Sequence, residues 1–291
     1  MAKVYILPKE AKSFIQYLTT KKKPVAENTA LAYIQDLSYL FEFVKASPLT
    51  ITEEQIEEYL NQSPSCSTFC RRRSTYSKFF WWMRVKAKLR FDDPIENIEI
   101  PEKDDSVTLK HLTVEQMSSI KQVAINDNIS HNRLRNIAIA STLMGCLLRE
   151  SELRKLNLED IDFEMGVMYI KKSKRDKSRK FPIPDSVLAD IKNYIENERK
   201  SHPHALFTSR DGTRVCRTTV VNVMKAFYEE VGCEELSLHA TRHGGITAML
   251  MGGKSIAYVS RLAGHSNPAI TMRYFGLIDK DLADNRMELF D

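Results

Sequence analysis

The chain contains 291 residues, enough for two ordinary domains that each bury a core of their own. Its five cysteines, without a paired C-x-x-C pattern, argue against a secreted disulfide framework or a structural zinc site and favour a reduced, cytoplasmic setting. No apolar run approaches the ~20 residues that span a bilayer, so no membrane association is predicted. A net charge of +5 permits a polyanionic partner without establishing one.

The amino-terminal third of the chain is predicted to be all-helical. Residues 28–44 carry apolar side chains at helical spacing. Thr52 and Gln55 have the spacing of a capping box, which predicts a helix that begins there. Residues 68–88 form an aromatic-rich helical run, and three consecutive arginines stand near its start.

The helical pattern breaks between residues 92 and 110, where prolines interrupt a polar stretch. We interpret residues 104–110 as an interdomain linker that joins a domain of residues 1–103 to a domain of residues 111–291. A second capping box, formed by Thr113 and Gln116, predicts the first helix of the carboxyl-terminal domain.

The carboxyl-terminal domain is predicted to be mainly helical with a small sheet. Two short strand-like runs, residues 167–170 and 181–183, flank the tract KKSKRDKSRK and predict a hairpin with a basic tip. Helical patterns cover residues 132–147, 186–199, 218–231 and 241–251.

Two segments of this domain carry charges that are candidates for chemistry. The first, LLRESEL at residues 147–153, holds Arg149 and Glu152, and an ordinary surface helix would also explain this i, i+3 pair. The second is the hairpin tip, for which a solvated charge run is the usual explanation. A basic hairpin can also reach into a nucleic-acid groove and bring one ammonium group to a phosphate.

Two further segments supply imidazoles and a tyrosine. LHATRHGG puts His239 and Arg242 three residues apart, on one face of a helix. LAGHSNPAITMRYFG puts His265 nine residues before Tyr274. Taken alone, each segment is also compatible with packed core histidines and a structural tyrosine.

Taken together and in this order, the four segments resemble the tyrosine recombinase (phage integrase) family, and the resemblance spans nearly the whole chain. The family pattern is an Arg in an LRxSEL-like box, a Lys in a β-hairpin, HxxR, a GH box and then a Tyr. The matching residues are Arg149, Lys174, His239, Arg242, Gly264, His265 and Tyr274. Lys174 is selected because the family's lysine lies eight residues before the proline that ends the hairpin, here Pro182, and Lys172 is the fallback.

The resemblance implies a mainly α fold with a small β-sheet, in which an all-helical SAM-like core-binding domain precedes an α+β catalytic domain. The sequence AENTALAYIQDLSYLFEF, at residues 26–43, matches the family's core-binding helices. Double-stranded DNA is then the partner, and the two domains are expected to close around it as a clamp. The residues expected to contact DNA are Arg71, Arg72, Arg73, Lys78, Lys172, Arg175, Lys177 and Arg179.

Three departures from the family pattern affect no catalytic group. Ala263 stands before the GH box where Leu is usual, and MGCLLR replaces the commoner TGLR. Gly244 and Gly245 follow HxxRH in place of a Ser-Phe-like pair. This double glycine is expected to loosen the helix that carries Arg242.

The residue types suit attack on a DNA phosphate. Two guanidinium groups that stay charged near neutral pH, those of Arg149 and Arg242, would hold the phosphate. Tyr274 is the implied nucleophile. His239 would accept its proton, and His265 would hydrogen-bond the phosphate.

The resemblance further implies that Lys174 protonates the departing 5′-oxygen and that Glu152 orients the basic groups. A 3′-phosphotyrosyl intermediate would keep the bond energy for rejoining, so neither ATP nor a metal cofactor is expected. In the family four protomers assemble on two sites. The tail after Tyr274 would dock on a neighbouring protomer or, as an even alternative, pack on its own domain.

The core-binding pattern begins close to the amino terminus, which leaves no room for an arm-binding domain and favours a Xer-like recombinase over a mobile-element integrase. Two other classes are alternatives: a type IB topoisomerase-like enzyme, and a non-enzymatic DNA-binding protein that keeps the fold. The helical amino-terminal domain and the tail favour recombination over strand relaxation. The intact set of candidate residues argues against a non-enzymatic protein.

Overall fold

The computed structural model describes residues 6–101, 110–127, 131–171, 178–265 and 267–274. The chain divides into two compact units, residues 1–106 and 107–291, and each unit has a hydrophobic core of its own. Within the described ranges, no helix combines the length and the hydropathy needed to traverse a lipid bilayer.

In its described part the first unit consists of helices and connecting segments. The helices are α1 (Lys9–Thr20), α2 (Glu27–Val44), α3 (Glu53–Asn61) and α4 (Cys66–Val85). The capping box predicted at Thr52 is present, because the Thr52 hydroxyl accepts from the Gln55 backbone N–H and Gln55 Oε1 accepts from the Thr52 N–H. Aromatic side chains fill the core, and Phe79 packs edge-on against both Phe14 and Phe41. The all-helical prediction is confirmed for these residues.

The second unit is built around a buried central helix. Its described helices are α5 (Val114–Asn126), α6 (Arg133–Gly145), α7 (Glu150–Lys155), α8 (Asp185–Asn197), α9 (Arg217–Glu230), α10 (His239–Met251), α11 (Ile256–Ala263) and α12 (Ala269–Met272). The second predicted capping box forms between Thr113 and Gln116. Every residue of α6 from Arg135 to Met144 is buried, so the other elements of the unit pack around this helix.

The sheet of the second unit has three antiparallel strands in the order β1-β2-β3. They are β1 (Ile161–Asp162), β2 (Val167–Ile170) and β3 (Arg179–Pro182). The predicted hairpin is confirmed in β2 and β3, and its tip at 172–177 lies outside the described residues. β3 begins two residues earlier than predicted, so Arg179 and Phe181 share its buried face while Lys180 lies on its exposed face.

Candidate active site

Arg149 and Glu152 lie at the start of α7, just after the chain leaves α6. Arg149 is the N-cap residue, and Glu152 Oε2 accepts a hydrogen bond from its backbone N–H at 2.9 Å. Glu152 Oε1 accepts another from Arg149 Nη1 at 3.1 Å. Glu152 is buried, whereas the Arg149 side chain is 29% exposed. The carboxylate therefore restrains both the backbone and the guanidinium group of Arg149.

The Arg242 guanidinium lies where three of the sequence segments meet. It donates to the carbonyl oxygen of Leu147 in LLRESEL, 95 residues away in sequence, and to that of Ala263 beside the GH box at 2.6 Å. Its Nη1 is also 4.0 Å from Glu152 Oε2. Burial, followed by the charge of Arg149, lowers the pKa of Arg242 to about 10, so the group stays charged at neutral pH.

Two departures from the family pattern, Leu147 in MGCLLR and the double glycine after HxxRH, lie in contact in the structure. Leu147 has a left-handed backbone with φ of 51°, and its side chain is fully buried. A Cβ atom at Gly245 would lie 2.5 Å from Leu147 Cδ2, and one at Gly244 would lie 2.3 Å from the Leu112 carbonyl oxygen. α10 is continuous through both glycines, so they do not interrupt this helix, and the loosening expected from them stays a prediction. They admit close packing of the segments around it.

His265 follows α11, which ends at Gly264 in a left-handed conformation with φ of 70°. Nδ1 of His265 is hydrogen-bonded to the buried Thr271 hydroxyl at 2.8 Å, and this bond orients the ring. Burial, followed by the charges of Arg242 and Arg149, lowers the pKa of His265 to about 4. The imidazole is therefore neutral at neutral pH, with Nε2 directed away from Thr271.

Tyr274 is 2% exposed, and its hydroxyl is hydrogen-bonded to Nδ1 of His243. The centroids of these two rings are 5.4 Å apart. His239, the predicted proton acceptor, packs edge-on against His243 with ring centroids 4.6 Å apart. Sequence reasoning missed His243, although its position next to Arg242 and one helical turn after His239 was an available signal.

Arg179 was predicted to contact DNA, and the structure gives it a different environment. Its side chain is 5% exposed, and Nη1 and Nη2 each donate to one oxygen of Glu152 at 2.9 Å. Both ends of the guanidinium fork are therefore occupied inside the protein, which corrects the DNA-contact prediction. The error arose because the strand was predicted to begin at Phe181, which left Arg179 in the hairpin tip.

Glu152 is ionised in this cluster despite its burial. Burial alone would raise the pKa of Glu152, but the hydrogen bonds and charges of Arg179 and Arg149 outweigh it and hold that pKa at about 2. Together with Arg242 the cluster has three guanidinium groups around one carboxylate, a positive balance that suits a phosphate ligand.

The predicted DNA contacts of the first unit all have partners inside that unit. The partners are Asp36 for Arg71, the Ser63 hydroxyl at 3.1 Å for Arg72, the Ile98 carbonyl at 2.7 Å for Arg73 and the Tyr33 hydroxyl at 2.9 Å for Lys78. Arg71 and Lys78 remain exposed. The remaining predicted residues, Lys172, Lys174, Arg175 and Lys177, lie outside the described residues, as does the tail after Tyr274.

Comparison with known proteins identifies the family. The model of the phage integrase family matches residues 110–280, which include all four candidate segments. The chain belongs to the phage integrase family. Tyrosine recombinase XerA of Pyrococcus furiosus is 31% identical over 209 residues, or 69% of this chain and 69% of that protein. Tyrosine recombinase XerC of Herpetosiphon aurantiacus is 26% identical over 281 residues, or 92% of this chain and 90% of that protein. This phage integrase family member is accordingly a Xer-like tyrosine recombinase.

Solved structures share the fold of this tyrosine recombinase. XerH site-specific recombinase, in a post-cleavage complex with palindromic difH substrate, matches with a TM-score of 0.75 and 20% identity over 89% of this chain and 79% of that chain. The Tn1549 transposon integrase in complex with circular intermediate DNA matches with a TM-score of 0.74 and 19% identity over 94% of this chain and 98% of that chain. The predicted fold class, mainly α with a small sheet, is confirmed.

Proposed function

We propose that this tyrosine recombinase, an enzyme that cuts and rejoins DNA strands at specific sites, attacks the DNA phosphate with the hydroxyl group of Tyr274. The observation that carries the proposal is the position of Arg242, whose guanidinium bonds Leu147 in one motif and Ala263 in another. His243, the next residue of α10, contacts the Tyr274 hydroxyl. Segments that are distant in sequence thus bring two arginines, three histidines and a tyrosine into one cluster.

Arg149 and Arg242 are suited to stabilise the charge that develops on the non-bridging phosphate oxygens. Each guanidinium has five N–H groups. Two nitrogens of Arg242 donate hydrogen bonds to backbone carbonyl oxygens, and these bonds fix the orientation of its guanidinium group. The hydrogen bond from Arg149 to the Glu152 carboxylate fixes the orientation of the Arg149 guanidinium group. Because these guanidinium groups are already oriented, little reorganisation is needed when charge develops in the transition state.

The proton movements fall to imidazoles and to the hairpin lysine. A neutral imidazole of α10 takes the phenolic proton of Tyr274, either His239, which the family pattern suggests, or His243, which is in contact with the hydroxyl. Nε2 of His265 is suited to hydrogen-bond the phosphate. Lys174, at the hairpin tip, would protonate the departing 5′-oxygen.

Binding of DNA must open this site. Arg242 is 1% exposed and Tyr274 is 2% exposed, so a phosphodiester reaches them only after the residues covering them move.

The proposal includes contacts from Arg71 and Lys78 to the DNA backbone, four protomers on two sites, and a tail that docks on a neighbouring protomer. The DNA complexes of XerH and of the Tn1549 integrase support DNA as the ligand.

Replacing Tyr274 by Phe is expected to abolish the covalent protein–DNA adduct while DNA binding is retained, because only the attacking oxygen is lost. The wild-type protein is first used to trap DNA covalently under denaturing conditions, and the trapped DNA is sequenced to identify the site. Nicked duplexes carrying that site then report adduct formation on a denaturing gel, with wild type as the control. A Tyr274→Phe protein that still forms the adduct would show that the nucleophile is another residue.

A further inference from the structure

Arg179 is the first residue of β3, the strand that follows the hairpin tip. It pairs with Ile170 across the sheet and faces the core on the same side as Phe181. Its side chain is 5% exposed, which is rare for an arginine unless a partner neutralises it. An arginine buried at this position therefore needs a partner for its charge.

The partner of Arg179 is the carboxylate that also holds the candidate catalytic arginines. Nη1 and Nη2 of Arg179 meet Oε1 and Oε2 of Glu152 at 2.9 Å each, in the forked geometry that makes arginine–carboxylate pairs strong and directional. The same carboxylate bonds the side chain and backbone of Arg149 and lies 4.0 Å from Arg242. Glu152 thus contacts both Arg179 of the hairpin strand and the two arginines that are proposed to hold the phosphate, Arg149 and Arg242.

Arg179 also contacts the GH box. A Cβ atom at Gly264 would lie 2.8 Å from Arg179 Nη1 and 3.1 Å from its Cδ, so the arginine occupies the space above this glycine. His265 is the next residue in the chain. One side chain therefore connects the hairpin strand, the LLRESEL segment and the loop that carries His265.

We infer that Arg179 is a positioning residue for strand transfer: it holds Glu152, and through Glu152 the guanidinium of Arg149, at the base of the hairpin whose tip carries Lys174. The inference rests on the function proposed above and deepens it. Without Arg179 the buried carboxylate loses two charge-assisted hydrogen bonds and keeps those to Arg149 and the ion pair with Arg242. Arg149 and Arg242 then hold the phosphate in a less productive orientation, although the groups that touch DNA are all still present.

Three single variants separate this role from a DNA contact. Arg179→Met keeps much of the length of the side chain and removes the fork, whereas Arg179→Lys keeps a charge with one point of contact. Lys180→Met removes a neighbouring positive charge from the exposed face of the same strand and serves as the matched control. DNA affinity at several salt concentrations and single-turnover cleavage at saturating DNA are measured on the nicked duplex described above.

Arg179→Met is expected to slow cleavage roughly 10²-fold, in line with the loss that small misplacements of reacting groups cause. Its DNA affinity and salt dependence should match wild type, because no phosphate contact is lost. Arg179→Lys should recover part of the rate, and Lys180→Met should cleave at the wild-type rate. In a Glu152→Gln background the Arg179→Met change should add little further loss, since Arg179 acts through that carboxylate.

Three results would overturn the inference. The first is a wild-type cleavage rate in Arg179→Met, and the second is full additivity of the rate losses of Arg179→Met and Glu152→Gln. The third is an Arg179→Met protein that cleaves normally at saturating DNA while the salt slope of its DNA affinity is lowered by about one unit, which marks a phosphate contact. If Arg179→Met does not fold, Arg179→Lys and the double variant, in which the Arg179–Glu152 ion pair is replaced by two uncharged side chains, still give the comparison. Adduct formation by wild type and its loss in Tyr274→Phe test the proposed function separately.

Discussion

At the residue scale, the surroundings of three imidazoles of the candidate site lower the pKa of each, those of His239, His243 and His265. Burial is the largest cause in each case. The charge of Arg242 comes next for His239 and His265, and the neighbouring His239 ring comes next for His243. The pKa of His239 is lowered, and those of His243 and His265 fall to about 4. Neutral rings can accept a proton, so a lowered pKa suits the proton-acceptor role that is proposed for an imidazole of α10.

We expect the imidazoles of His243 and His265 to titrate in the free protein near pH 4 and not near the ordinary value of 6.5. Since the unfolded chain takes up these protons first as pH falls, the two groups should lower stability between pH 6.5 and 4 and leave it unaffected above that window. NMR titration of histidine-labelled protein measures both values, and His243→Asn assigns the signal of His243. Arg149→Gln should raise the pKa of His265, because the Arg149 charge helps to lower it. Titration of either ring near its ordinary value would contradict the burial argument.

The sequence identified the candidate residues better than it identified their partners. Motif order selected Arg149, Arg242 and Tyr274 as candidates, and their catalytic roles stay predictions. It did not distinguish His239 from His243 as the neighbour of Tyr274, since both lie on one face of α10 and the choice depends on where residues after α11 pack. Arg179 was misassigned because one strand boundary was displaced by two residues, and a displaced boundary moves a side chain from the core to the tip.

At the element scale, the junction between α6 and α7 packs against α10 through one unusual pair. The left-handed conformation of Leu147 costs about 1–2 kcal/mol for a residue other than glycine. Full burial of a leucine side chain returns about 1.5–3 kcal/mol, which is enough to offset that cost. The space for it exists because Gly245 has no Cβ atom. Leu147 and Gly245 are therefore coupled.

Gly245→Ala should destabilise the wild-type protein by about 1–3 kcal/mol, because the new Cβ would overlap Leu147 Cδ2. In a Leu147→Ala background, which itself costs about 2–5 kcal/mol, the same change should cost much less. Urea unfolding of the wild type, the two single variants and the double variant measures the coupling free energy. Equal costs of Gly245→Ala in both backgrounds would show that the contact does not determine this position.

Local signals were sufficient for some elements and insufficient for others. The capping boxes at Thr52 and Thr113 predicted two helix starts correctly, because cap geometry depends on neighbouring residues alone. The short helices α7, α11 and α12 were not predicted. Helices of four to eight residues contain too few turns to show a hydrophobic period. Their bounds depend on packing against other helices: α7 contacts α6, α11 contacts α10, and α12 contacts α11.

At the scale of the whole molecule, the described groups of the candidate site all come from the second unit, residues 107–291. The first unit, residues 1–106, has its own aromatic core and the exposed basic side chains Arg71 and Lys78. Chemistry at one phosphate is therefore proposed to need the second unit, and the choice and pairing of DNA sites to involve both. Whether a cleaved strand joins a new partner or its old one depends on the assembly, which sequence motifs do not encode.

We expect exchange of strands between two duplexes that carry the same site and different end labels. The reaction should proceed in excess chelator, because guanidinium and imidazole groups are proposed to supply the charge stabilisation that metal ions give in two-metal nucleases. Products that combine both labels, resolved on a denaturing gel, measure exchange, and Tyr274→Phe serves as the control for covalent chemistry. Nicking and resealing within single duplexes, without mixed products at any protein concentration, would instead indicate a type IB topoisomerase-like enzyme. An absolute magnesium requirement for the adduct itself would contradict the proposed role of Arg149 and Arg242.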